Sequence, residues 1–207
     1  MAHFSDWEYM LNGDTQEFRN LVCKTGTRLF NLYGGADHWL DCPSDDFRMT
    51  TLYCEGESDA EVVWQVGYEL LSLFNDASIL FSKDYRKAAI YKLLHREREV
   101  AYSAPKGLTA FLGRPSCSSE QLEEELTHAK RSSIKFRLIH LAAANKDVYF
   151  ILKYLDMEAG WGTYYKLLEV IENFAKEALE NPSHPRENIP VIAGADWVHG
   201  QQAARIR

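Results

Sequence analysis

The chain has 207 residues, 46% hydrophobic and 13% aromatic, with 23 Lys+Arg against 30 Asp+Glu for a net charge of −7. That content excludes a disordered chain and suits one large domain or two small ones sharing a core. The acidic balance argues against a general nucleic-acid coat or a polybasic membrane binder, which needs clustered Lys and Arg, and leaves room for a local basic patch.

The first half reads as mixed strand and helix. Phe18–Cys23 and Arg28–Tyr33 flank a turn at Lys24–Thr27, Gly34-Gly35 breaks the chain, and Cys42-Pro43-Ser44 marks a loop. Phe47–Cys54 is rich in β-branched and aromatic residues and reads as a strand. Ser58-Asp59-Ala60-Glu61 has the form of a capping box. Val62, Val66, Leu70, Leu73 and Ala77 then repeat at helical spacing, which predicts a helix over about 59–75. Lys87–His95 fits helix or strand. The meander is favoured, with Arg96–Glu99 as a hairpin tip and Val100–Ser103 and Leu108–Leu112 as returning strands.

From Ser118 the pattern becomes helical. Ser118 and Gln121 form a second capping box, and Leu122, Leu126, Ala129, Ser133, Phe136 and His140 hold helical spacing to about residue 144. Asp147 caps a shorter helix with Val148, Ile151, Leu152 and Leu155 inward. Gly160-Trp161-Gly162 opens a helix over about 161–179, with Trp161, Tyr165, Leu168, Ile171, Ala175 and Leu179 as its apolar stripe, stopped by Asn181-Pro182. The composition switches at Gly113–Ser116. The expectation is an α+β fold: residues 1–115 a mixed α/β part with an antiparallel sheet, residues 116–207 a helical bundle.

The opening residues carry no basic stretch followed by an apolar one, and no window approaches the ~18 apolar residues of a membrane span. Cys23, Cys42, Cys54 and Cys117 contain no C-x-x-C pair. The expectation is a cytoplasmic chain with reduced thiols, no membrane contact, no metal and no cofactor.

Four groups of residues have the chemistry for a site. Asp37, His38, Asp41 and Cys42 gather metal-ligand types in six residues; the alternative is a polar loop anchored by Trp39. Arg137 and His140 are three apart on one helix, where a cation beside an imidazole binds an anion or tunes a base; the alternative is a half-buried histidine. His95, Arg96 and Arg98 are interleaved by Glu97 and Glu99 and read as a solvated hairpin tip. Trp161, Tyr164, Tyr165 and Glu169 combine aromatic faces with a carboxylate, a set that stacks on a base and accepts its exocyclic amine; the alternative is core. Phosphate-loop, dinucleotide, nucleophile-elbow and zinc-protease motifs are absent from the sequence.

Tyr68-Glu-Leu-Leu-Ser-Leu-Phe-Asn75, Asp147-Val-Tyr-Phe-Ile-Leu152, Trp161-Gly-Thr-Tyr-Tyr-Lys-Leu-Leu-Glu169 and His199-Gly-Gln-Gln-Ala-Ala-Arg205 follow one another in an order that resembles a group of bacterial proteins with a HEPN-like helical half. The resemblance covers about residues 60–207. It implies a homodimer and, in active members, a metal-independent ribonuclease whose Arg and His meet across the dimer. There His moves the proton and Arg stabilises the phosphorane charge. On this chain the resemblance points to Arg205, with His199 or His140, as the catalytic set. No Arg here has a His four to six intervening residues later, which departs from that pattern.

Three readings follow. The first is a non-catalytic interaction or sensor protein that dimerises through its helical half and meets a protein partner. The second is a HEPN-type ribonuclease of bacterial defence or toxin action, with RNA as partner. The third is a small-molecule enzyme with Arg137, Trp161, Tyr165 and Glu169 around its ligand.

Overall fold

The computed structural model describes residues 6–22, 24, 27–37, 44–82, 84–106, 118–156 and 160–180. It is an α+β fold: a five-stranded antiparallel sheet with six helices among these residues. The strands are β1 (Trp7–Asn12), β2 (Asn31–Asp37), β3 (Ser44–Thr50), β4 (Ala89–His95) and β5 (Arg98–Glu99), in spatial order β2-β3-β1-β4-β5. The helices are α1 (Thr15–Val22), α2 (Ala60–Ile79), α3 (Ser119–Arg131), α4 (Ile134–Ala144), α5 (Lys146–Asp156) and α6 (Trp161–Glu180).

The sheet buries one face, as period-2 alternation dictates. Leu32, Met49, Tyr9 and Leu93 stand directly opposite one another across β2, β3, β1 and β4 and are buried. On the other face Arg48 reaches Glu8 Oε2 at 2.7 Å and Asp46 Oδ2 at 2.8 Å, so charged side chains meet solvent there.

Helix α2 covers the buried face. Tyr9 donates its hydroxyl to the Val63 carbonyl at 2.7 Å and lies 3.1 Å from Cys54 Sγ. Its ring occupies the space a side chain at position 67 would need: a Cβ on Gly67 would fall 2.2 Å from Tyr9 Cε1. The glycine therefore lets helix backbone touch a strand's aromatic ring. Asn75 bonds both backbone groups of Ala88, donating to its carbonyl at 2.9 Å and accepting from its N–H at 2.8 Å, which steers the chain into β4.

Helices α4 and α5 lie on α2, and α6 packs on α5. One apolar core runs through both halves of the chain. Phe136 of α4 has its ring centre 5.4 Å from Phe30 and 6.4 Å from Phe74 of α2. Residues 107–117, where the composition changes, lie outside the described residues, as does the expected strand Leu108–Leu112.

Several local expectations shift for identifiable reasons. Gly34 and Gly35 lie inside β2, not at a break; a Cβ on Gly34 would fall 2.0 Å from the Asp46 carbonyl oxygen, so only glycine continues the strand. The strand expected over Phe47–Cys54 ends at Thr50 and passes into a single 3-10 turn at Leu52–Cys54. Asp59, not Ser58, caps α2, accepting from the Glu61 N–H at 2.8 Å, and α2 runs on to Ile79. The Ser118/Gln121 box forms as expected. The long helix after it divides at Ser132-Ser133, where Ser132 Oγ donates to the Ala129 carbonyl at 2.6 Å and both serines are extended. Asn145 caps α5 in place of Asp147, accepting from Asp147 N and Val148 N.

Val100–Ser103 is not a strand. Residues 101–106 have no regular secondary structure and run along α2, held by side chains. Trp64 Nε1 donates to the Ala101 carbonyl (2.9 Å), Tyr68 to that of Ser103 (2.7 Å) and Gln65 to that of Ala104 (3.1 Å), while Gln65 accepts from Lys106 N (2.8 Å).

Gly67→Ala is expected to lower stability by about 2 kcal/mol, because the methyl displaces the Tyr9 ring and outweighs the gain in helix propensity. Urea unfolding measures it, and Tyr9→Leu in the same background should recover part of the loss.

Candidate functional site

The expected site residues separate into three groups. His140 lies on α4 and is buried at 7% exposure. Its Nε2 is 3.0 Å from Thr27 Oγ1, and burial lowers its pKa to about 4, so the imidazole is neutral near pH 7. Arg137, three residues earlier on α4, is exposed. The pair is therefore split between core and solvent. Arg205 and His199 lie outside the described residues, as do His38, Asp41 and Cys42 of the metal-type cluster. His95 stacks on Trp7 with ring centres 4.2 Å apart, and Arg96 pairs with Asp6 at 2.9 Å.

Trp161, Tyr165 and Glu169 stand on α6, and all three are exposed. The helix forms because Gly160 starts its first hydrogen-bonded turn, its carbonyl accepting from Thr163 N at 2.9 Å and Tyr164 N at 3.2 Å. Thr163, Leu167, Val170 and Phe174 are its half-buried positions, and Phe174 packs on the core. The neighbouring stripe looks outward: Trp161 is 92% exposed, Tyr165 73% and Leu168 59%, with Tyr164 and Ile171 also exposed. The periodicity that marks α6 as amphipathic thus traces a solvent-facing surface. Such a surface offers stacking faces and a carboxylate on one side only; its chemistry suits contact with another apolar surface.

A second constellation escaped the sequence reading. On α2, Glu69, Ser72 and Asp76 share one face at i, i+3 and i+7, toward Tyr149 and Lys153 of α5. Tyr149 donates to Glu69 Oε1 at 2.6 Å. Lys153 donates to half-buried Ser72 Oγ and lies 3.2 Å from Glu69 Oε1 and 3.8 Å from Asp76 Oδ2, with Lys153, Glu69 and Asp76 all buried. Burial and the Glu69 carboxylate hold the Tyr149 phenol far above its ordinary pKa, so it remains a donor. Comparable bonds recur along the boundary between the front half and the helices: Arg28 N donates to Glu125 of α3 at 2.6 Å, and Lys135 of α4 pairs with Glu17 of α1. The sequence signal was present: Glu69 and Asp76 interrupt a helix whose flanking positions are apolar on more than one side.

One ammonium between two buried carboxylates is an assembly device. Desolvation costs about as much as the ion pairs return, but removing one member strands the others. The seam therefore fixes how the helices seat on α2.

No family model, curated protein or solved structure matches the chain.

Two outcomes follow. Lys153→Met is expected to cost about 3–5 kcal/mol in urea unfolding, because Glu69 and Asp76 lose their cation. For His140, the folded pKa lies below the unfolded value of 6.5, so the unfolded state binds more protons between the two. Its contribution is complete above about pH 6.5 and is lost as pH falls toward 4. Between pH 7 and 5 the protein should lose about 2 kcal/mol more stability than His140→Gln, read by urea unfolding at both values.

Proposed function

We propose that the protein is a non-catalytic interaction module that works as a homodimer, two copies meeting through the outward stripe of α6. The observation that carries this reading is the stripe itself, with a tryptophan almost wholly in solvent at its head. Trp161, Tyr164, Tyr165, Leu168 and Ile171 together offer about 600 Å² per copy, close to the roughly 800 Å² per partner of a standard interface. The positions 161, 164, 168, 171 and 175 follow the alternating three–four spacing by which helices pair.

The resemblance to HEPN-like bacterial proteins carries the same expectation of pairing. The described histidine of the ribonuclease set is spent on Thr27 inside the core, and this supports the interaction reading over the catalytic one. A cytoplasmic setting belongs to the proposal. Cys54 is a free thiol that desolvation pushes up to about 12, so it stays protonated and inert.

Sedimentation velocity at micromolar concentration is expected to give twice the chain mass for the wild type and the single-chain mass for Trp161→Asp and Leu168→Asp, with helical content unchanged. Incubation of the wild type with transfer RNA should leave the RNA intact. A monomeric wild type, or cleaved RNA, overturns the reading.

A further inference from the structure

The polar contacts that hold this fold together differ in how they meet a proton. Those that tie α2 and the loop before it to the sheet come from groups that keep one protonation state through the acid range. Tyr9 donates to the Val63 carbonyl, Trp7 Nε1 donates to the Glu57 carbonyl at 2.9 Å, and Asn75 bonds both backbone groups of Ala88. The contacts between that front half and helices α3, α4 and α5 are of the other kind. Glu17 pairs with Lys135, Glu69 accepts from Tyr149 and lies against Lys153, Glu125 accepts from Arg28 N, and His140 meets Thr27. Each is built on a carboxylate or an imidazole, the side chains that take up protons on acidification.

His140 is the member with the least compensation. It is buried, and Thr27 Oγ1 is its hydrogen-bond partner among the described residues. That oxygen also accepts from Phe30 N at 3.5 Å, which leaves the hydroxyl proton for the imidazole Nε2. The charged groups on the surrounding elements are committed elsewhere: Glu17 of α1 to Lys135, Glu69 and Asp76 of α2 to Lys153, and Glu125 of α3 to Arg28 N, while the Arg28 side chain pairs with Glu55. His128 of α3 and Arg137 of α4 are exposed. A proton placed on His140 is therefore a buried charge with no carboxylate bonded to it.

We propose that helices α3 to α6 form an acid-released layer: protonation of His140 lifts the layer from the sheet and α2, which stay together. This goes beyond the α6 self-association reading and does not depend on it. The layer has contacts of its own, α3 on α4, α4 on α5 and α5 on α6. The sheet under α2 keeps its buried row of Leu32, Met49, Tyr9 and Leu93. Release parts Phe136 of α4 from Phe30 and Phe74, which themselves stack at 5.5 Å, and so uncovers an apolar surface that is closed at neutral pH. Burial lowers the His140 pKa from 6.5 to about 4, so the released form binds the proton more tightly and gains as pH falls between those values.

Amide hydrogen exchange of the full chain, at pH 7 and pH 5 in low urea and corrected for the intrinsic pH dependence of exchange, tests this. At pH 5 the opening constants of α4 and α5 amides are expected to exceed those of β1 and β4 amides by about tenfold or more, with a weaker urea dependence, as partial opening requires. From pH 7 to pH 5 the helix opening constant should rise about 20-fold in the wild type and less than about threefold in His140→Gln. A single opening constant shared by helices and sheet at pH 5 overturns the proposal, and that comparison needs only the wild type. A rise that persists undiminished in His140→Gln overturns it as well.

Discussion

Lys153, buried against α2 between Glu69, Ser72 and Asp76, is the contact on which the rest of the molecule turns. An apolar helix face tolerates sliding and rotation, because hydrophobic burial has no direction. A buried ammonium does not tolerate them, because a displacement of a few ångströms leaves a charge without compensation. The Lys153 contacts therefore fix the register of α5 on α2. Since α6 packs on α5, they also fix which side of α6 looks inward. The outward stripe is a consequence of that chain of positions.

Helix α2 can take this role because it is enclosed on several sides. Gly67 admits Tyr9 from the sheet, Phe74 meets Phe30 at 5.5 Å and Phe136 at 6.4 Å, and Trp64, Gln65 and Tyr68 hold the segment 101–106 by its backbone. A helix surrounded in this way loses the clean one-sided periodicity of a surface helix. It also collects polar residues in its interior, two of which bond specific neighbours: Asn75 to Ala88 and Tyr85, Glu69 to Tyr149 and Lys153. These bonds make the seating of strand, segment and helix specific where apolar contact alone would leave alternatives.

The α+β class and most elements were legible from local signals. The Ser118–Gln121 box, the α2 stripe and the Gly160 start of α6 report on backbone groups and periodicity a few residues apart. What escaped depended on distant partners. Gly34 and Gly35 resemble a chain break until Asp46 is opposite them, and Val100–Ser103 resembles a strand until Trp64 and Tyr68 take its carbonyls. The position of His140 was open for the same reason. Helical spacing places it beside Arg137, and only Thr27, 113 residues away in the chain, shows that it faces the core. The seam of Glu69, Asp76 and Lys153 was marked in the sequence only by two carboxylates among apolar positions of α2, and charge in a sequence reads as surface because burial of charge is a tertiary fact.

The α6 stripe exposes a symmetric ambiguity. A periodic row of Trp, Tyr, Leu and Ile means that these side chains seek an apolar partner; it does not say whether the partner belongs to the same chain. Here the helix has two adjoining apolar faces. One, through Thr163, Leu167, Val170 and Phe174, meets the chain's own core, and the other, from Trp161 to Ala175, remains in water among the described residues.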